Sequence, residues 1–64
     1  MRNRVRKLRE AADLRQVDLA DLAGVAQSTI SDIERGVVDM RASTMVRIAG
    51  ALGVSLDDLQ DDRD

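Results

Sequence analysis

The chain has 64 residues, a formal net charge of −2 at pH 7, and no cysteine, histidine, proline or aromatic residue. That length sits near the lower limit at which one hydrophobic core sustains a fold unaided, which predicts a single domain spanning residues 1–64 with a core of Leu, Ile, Val, Met and Ala. The missing side chains exclude a disulfide framework, thiolate or imidazole zinc sites, histidine-based catalysis and base-stacking platforms for single-stranded nucleic acid.

Apolar residues recur at helical spacing almost throughout, predicting an all-α bundle of five short helices. Val5, Leu8 and Ala12 fall on one stripe of a first helix from about Asn3 to Ala12, with Leu14 closing it into a turn. A second, Gln16 to Ala23, turns Leu19, Ala20 and Ala23 to one face and stops at Gly24. The third, from about Ala26 to Arg35, turns Ile30 and Ile33 inward and stops at Gly36. Asp39 is placed to cap a fourth, with Met45, Ile48, Ala49 and Leu52 on its apolar face and Gly53 as its stop. A fifth opens at Ser55, where Asp58 completes a capping box and Leu56 and Leu59 fold back on the core.

The net charge alone argues against a nucleic-acid partner. Its distribution does not. Residues 1–15 carry Arg2, Arg4, Arg6, Lys7, Arg9 and Arg15 against Glu10 and Asp13, whereas residues 55–64 carry Asp57, Asp58, Asp61, Asp62 and Asp64 against Arg63. The basic end can meet phosphates while the acidic tail, from about residue 60, points away. No apolar run approaches the roughly 20 residues that span a bilayer, and the basic N-terminus lacks the apolar stretch of a signal peptide. The expectation is a soluble, cytoplasmic protein with no membrane partner.

The third helix is the segment with functional content. At about 100° per residue from Gln27, Ser31, Ser28 and Asp32 fall near about 40°, 100° and 140°, while Ile33 and Ile30 fall near about 240° and 300°. An arc of short polar side chains thus opposes an arc of branched apolar ones. A groove-reading helix needs that division, and a glutamine suits adenine in the major groove, although any surface helix has a polar arc.

The stretch Gln16 through Gly36, with Gln16, Leu19-Ala20, Gly24-Val25, Ser28-Thr29-Ile30-Ser31 and Ile33-Glu34-Arg35-Gly36 at these spacings, resembles the phage-repressor helix-turn-helix family of Cro-like, cI-like and XRE-type regulators. Ala49-Gly50-Ala51-Leu52-Gly53-Val54-Ser55-Leu56 resembles that family's later helix junction, and the likeness runs from Leu8 to Leu59. It implies a helix-turn-helix over about residues 16–35 with the third helix presented to the major groove of double-stranded DNA. Gln27, Ser28 and Asp32 match base-facing positions; Thr29 and Ser31 match positions that touch phosphate or sugar. Gln16 matches a glutamine that binds a phosphate and braces the recognition helix. Arg9 and Glu34 match a pair that bridges the first and third helices and orients the arginine beside the DNA backbone. Arg41 matches a second phosphate clamp, with Arg2, Arg4 and Arg6 on the opposite flank.

Several positions depart from the family pattern. Asp32 accepts from a cytosine amino group but is repelled by phosphates. Arg15 and Ala26 stand where Ser, Thr or Asn usually caps a helix, each forfeiting roughly 1 kcal/mol. Gly36 to Arg41 lacks the usual basic residues and has Met40 for a proline. Val37, Val38 and Met40, with Leu22 and Val46, form either an exposed partner surface or a plug beneath the bundle. The leading expectation is a repressor acting as a homodimer on a pseudo-palindromic operator. The competing one is a partner-binding or antitoxin-like interaction module on the same fold. No nucleophile, base and orienting group fall at a justifiable spacing, so no enzyme activity is expected, nor any cofactor or small-molecule ligand.

Overall fold

A computed structural model describes residues 3–60, so Arg2 and the acidic stretch 61–64 lie outside the described residues. It contains four α-helices, α1 (Val5–Ala11), α2 (Gln16–Ala23), α3 (Gln27–Arg35) and α4 (Ala42–Leu52), followed by a 3₁₀ turn at Asp57–Leu59. The second and third helices and their glycine stops fall where the apolar spacing places them. α2 is the centre of the packing and touches both α3 and α4, its Ala20 and Ala23 being small enough for close approach. Val5, Leu19, Ile30, Ile33, Ile48 and Leu59 are the large side chains fully enclosed among them. Leu8, Val25, Met40, Met45 and Leu52 close around that centre. No helix of the described residues is long and apolar enough to cross a membrane.

Three expectations require correction. The fifth helix is only the 3₁₀ turn. Its capping box does form, with the Ser55 N–H donating to Asp58 Oδ2 at 3.0 Å and the Asp58 N–H to Ser55 Oγ at 3.3 Å. Gln60, however, is already extended (φ −74°, ψ 162°). With about 6 Å of rise between residues three apart, this turn carries Leu59 into the core and leaves Leu56 at its rim, 44% exposed.

The fourth helix begins later than Asp39 can cap, because Arg41 occupies its N-cap and Asp39 lies two residues outside. The first helix is shorter at both ends, and Ala12 is exposed beyond it. It stops because Asp13 adopts the left-handed conformation (φ 60°). The Leu14 N–H then reaches the Arg9 carbonyl at 3.1 Å and the Asp13 N–H reaches that of Glu10 at 3.0 Å. Those two bonds make a Schellman stop of the kind usually built on glycine, as at Gly24, where the Val25 N–H donates to the Ala20 carbonyl at 3.0 Å.

Aspartate tolerates left-handed backbone better than most residues, yet glycine occupies it without steric cost. Asp13→Gly is therefore expected to raise the urea midpoint, by about 1 kcal/mol or less of stability, and Asp13→Val to lower it by about 1–2 kcal/mol. Equal midpoints for the two variants would contradict a left-handed residue 13.

Candidate nucleic-acid interface

Ile30 and Ile33 anchor α3 from beneath, and the polar arc of the same helix lies outward: Gln27 and Ser28 are exposed, and Thr29, Ser31 and Asp32 are half-buried. Asp32 is not solitary on that arc, because Arg35 Nη2 donates to its Oδ1 at 2.6 Å.

The rotation of α3 is fixed from behind by a buried charge network. Arg9 donates Nε to Glu34 Oε2 at 2.6 Å, Nη2 to Glu34 Oε1 at 3.1 Å and Nη1 to the Leu14 carbonyl at 2.8 Å. Gln16 adds its Nε2, donating to Glu34 Oε1 at 3.0 Å. The Arg9 and Glu34 side chains are only 11% and 4% exposed. The hydrogen bond to Glu34 raises the pKa of the guanidinium further, against the desolvation that opposes its charge. A buried pair of this kind fixes orientation more than it adds net stability. Arg9 therefore lies behind α3, with its nitrogens engaged inside the protein.

Asn3 completes the brace and was not singled out from the sequence. Its Oδ1 accepts the Val5 N–H at 3.0 Å, and its Nδ2 donates to the Ile33 carbonyl at 2.9 Å, tying the start of α1 to the last turn of α3. A partner 30 residues away leaves no local signal. Arg4 follows at that end, half-buried, its N–H donating to the Leu59 carbonyl at 3.2 Å.

The helix starts differ. Ala26 and Arg41 cap α3 and α4 in extended conformation with no side-chain hydrogen bond. At α2, Arg15 supplies no acceptor either, but Asp18 reaches back to take the Arg15 N–H at 2.9 Å, Nε at 3.0 Å and Nη2 at 2.9 Å. The bonds from the Arg15 side chain and then its backbone lower the Asp18 pKa from 3.8 to about 2. An acid three residues past the N-cap is the half of a capping box that the sequence does carry.

Between the starts of α3 and α4 lies an open groove lined by Ala26, Thr29, Val38, Asp39, Arg41 and Thr44, among others. It brings Thr29 and the exposed Arg41 together, and places the Asp39 carboxylate beside them. Of the apolar residues expected either outside or beneath, Leu22 (62%), Val37 (60%), Val46 (58%) and Val38 (44%) are exposed, whereas Met40 is half-buried against the core.

A helix-turn-helix family model matches residues 5–59. The immunity repressor protein of Bacillus phage phi105 is 38% identical over 53 residues, covering 83% of this chain. The chain spans 37% of that repressor's length and 54% of a second curated relative's. Among solved structures, the restriction-modification controller protein C.AhdI from Aeromonas hydrophila is similar at 33% identity and a TM-score of 0.84, covering 86% of this chain and 83% of that one. The N-terminal DNA binding domain of SinR from Bacillus subtilis is similar at 27% identity and a TM-score of 0.86, covering 95% and 91%.

Removing Glu34 strands the buried Arg9 guanidinium, so Glu34→Ala is expected to cost about 3–5 kcal/mol, and Glu34→Gln less because an acceptor remains. Urea melts read both, and midpoints unchanged from wild type would dismiss the brace. The Asp18 contact has a defined pH window. Its folded pKa is depressed, so its contribution is present above the ordinary 3.8 and is lost as pH falls toward about 2. Asp18→Ala should thus melt below wild type at pH 7, with the gap closing across that window.

Proposed function

The chain belongs to the helix-turn-helix family of XRE-type regulators, and on that premise we propose that it is a DNA-binding transcriptional regulator that lays α3 in the major groove of double-stranded DNA. The observation that carries this reading is the division of α3 into an outward polar arc and a buried isoleucine arc, held at one rotation by the Arg9–Glu34–Gln16 network. Gln27 reads adenine through its amide, Ser28 reads a neighbouring base edge, and Asp32 accepts from a cytosine amino group. Thr29, Ser31 and Arg41 meet the sugar-phosphate backbone, as does the Gln16 side chain. Arg4 meets the backbone on the opposite flank, whereas Arg9 acts from behind, through the placement of α3.

A domain of this size touches few bases, so the regulator binds as a homodimer to a pseudo-palindromic operator with half-sites about 34 Å apart. The exposed Leu22, Val37, Val38 and Val46 offer apolar surface to a second copy. It represses by occupying a promoter in the cytoplasm, on the nucleoid, and excludes polymerase sterically. This reading assigns it no catalytic step, cofactor or small-molecule ligand. A second reading, a partner-binding module, draws on the same exposed apolar residues and on the pairing of Arg6, Arg9, Arg15 and Arg35 with carboxylates.

Selection from a random duplex library at near-physiological salt separates the two. The regulator enriches an inverted repeat, Gln27→Ala relaxes one base per half-site at a cost of about 1–3 kcal/mol in discrimination, and affinity falls as salt rises. No enriched duplex would leave the partner-binding module.

A further inference from the structure

Asp32 is an unusual side chain to turn toward DNA, because phosphates line both edges of the major groove and repel a carboxylate. The structure meets that difficulty inside the helix. Arg35, three residues later, donates Nη2 to Asp32 Oδ1 at 2.6 Å, with the two side chains 64% and 39% exposed. Pairs so exposed contribute little to folding, so the consequence of this one lies in charge and direction. The guanidinium offsets the negative charge on the outward arc, and the bond to Oδ1 restrains the carboxylate about its two side-chain torsions while Oδ2 keeps its lone pairs. A carboxylate so held accepts and cannot donate. In the major groove it suits the exocyclic amino group of cytosine, opposes the oxygen acceptors of guanine and thymine, and meets the amino group of adenine only beside the repelling N7 acceptor.

We propose that Arg35 is a specificity-determining positioning residue, which holds Asp32 as a fixed acceptor for cytosine N4 without touching a base itself. The inference rests on the reading that α3 enters the major groove. It differs from a phosphate contact by Arg35 in a way that can be measured. A phosphate contact adds the same affinity to every duplex, whereas a positioning contact changes which base is preferred and works only while Asp32 is present.

The test uses the full chain as wild type, Arg35→Ala, Asp32→Asn and the double variant. Each is carried through selection from random duplexes and then titrated with the enriched duplex and with versions altered at single positions. Because the pair is exposed, all four proteins are expected to melt within a few degrees of one another, which circular dichroism checks first. Wild type should enrich cytosine at one position per half-site. Arg35→Ala should reduce that preference about tenfold, and in the Asp32→Asn background it should leave the base preference unchanged. If Arg35→Ala weakens every duplex equally, keeps the cytosine preference and adds to Asp32→Asn without coupling, Arg35 is a phosphate contact and the inference falls while groove reading stands. If wild type enriches no duplex, the reading beneath it falls and takes the inference with it.

Discussion

A guanidinium does not shed its proton under ordinary conditions, so an arginine buried in a small all-helical domain obliges its surroundings to supply acceptors. Arg9 is such a residue, 9% exposed, and meeting its needs organises three elements at once. Glu34 supplies both carboxylate oxygens from the last turn of α3, which sets that helix's rotation. The Leu14 carbonyl supplies the third contact, and it reaches Arg9 because Asp13 bends the chain through the left-handed region. Gln16, at the first turn of α2, shares Glu34 and brings the helix before the turn into the same arrangement. A rotation of α3 by one residue, about 100°, would carry Asp32 toward the position of Ile33, so the polar arc depends on this one buried contact.

The helices are terminated firmly and started loosely. Each of the four ends on a residue with positive φ, at Asp13, Gly24, Gly36 and Gly53, followed by an N–H that folds back to the last turn. At the other end neither Ala26 nor Arg41 offers a side-chain oxygen to the first amides of its helix. Those N–H groups of α3 and α4 are the ends that flank the Thr29 and Arg41 groove. An absent cap costs stability, but it also leaves amide donors and the positive end of the helix dipole open to an anion. α1 and α2 are the exceptions, since Asn3 Oδ1 takes the Val5 N–H at the start of one and Asp18 takes the Arg15 N–H at the start of the other.

Features encoded over a few residues were legible in the sequence, and those encoded by distant contacts were not. The bounds of α2 and α3, the inward Leu19, Ile30, Ile33 and Ile48, and the Ser55–Asp58 capping box follow from local periodicity and short-range bonding. The pairing of Arg9 with Glu34 was reached through family likeness, since 25 residues separate them and neither shows periodicity. Asn3 escaped notice for the same reason, without a likeness to point at it. Asp39 misled because it is a good capping residue two positions too early, and a cap is defined by where the helix starts. The Ser55–Asp58 capping signal is real, but it opens a 3₁₀ turn of three residues rather than a fifth helix. Arg35 lay in plain view at three residues from Asp32, but charges at that spacing are so common on helix surfaces that the pair gains meaning only once α3's outward arc is known.

Charge is the least family-like property of this domain and the one that bears most on the proposed mechanism. Binding driven by phosphates scales with the number of phosphates that the protein's Lys and Arg neutralise, each releasing a counterion from the DNA. Here Arg6, Arg9, Arg15 and Arg35 are each held by a carboxylate of the same chain, and Asp39 shares the groove with Arg41. Four of the nine arginines thus have part of their charge offset within the chain. Under the proposed mechanism such a regulator would draw a larger share of its affinity from Gln27, Ser28 and Asp32 at the base edges, where each wrong base costs about 1–3 kcal/mol. Binding as the proposed homodimer would supply the remainder by joining two weak half-site contacts, since the second is made at the high effective concentration set by the first. On the proposed reading, low background binding and dependence on dimerisation are the expected outcome of placing carboxylates beside arginines.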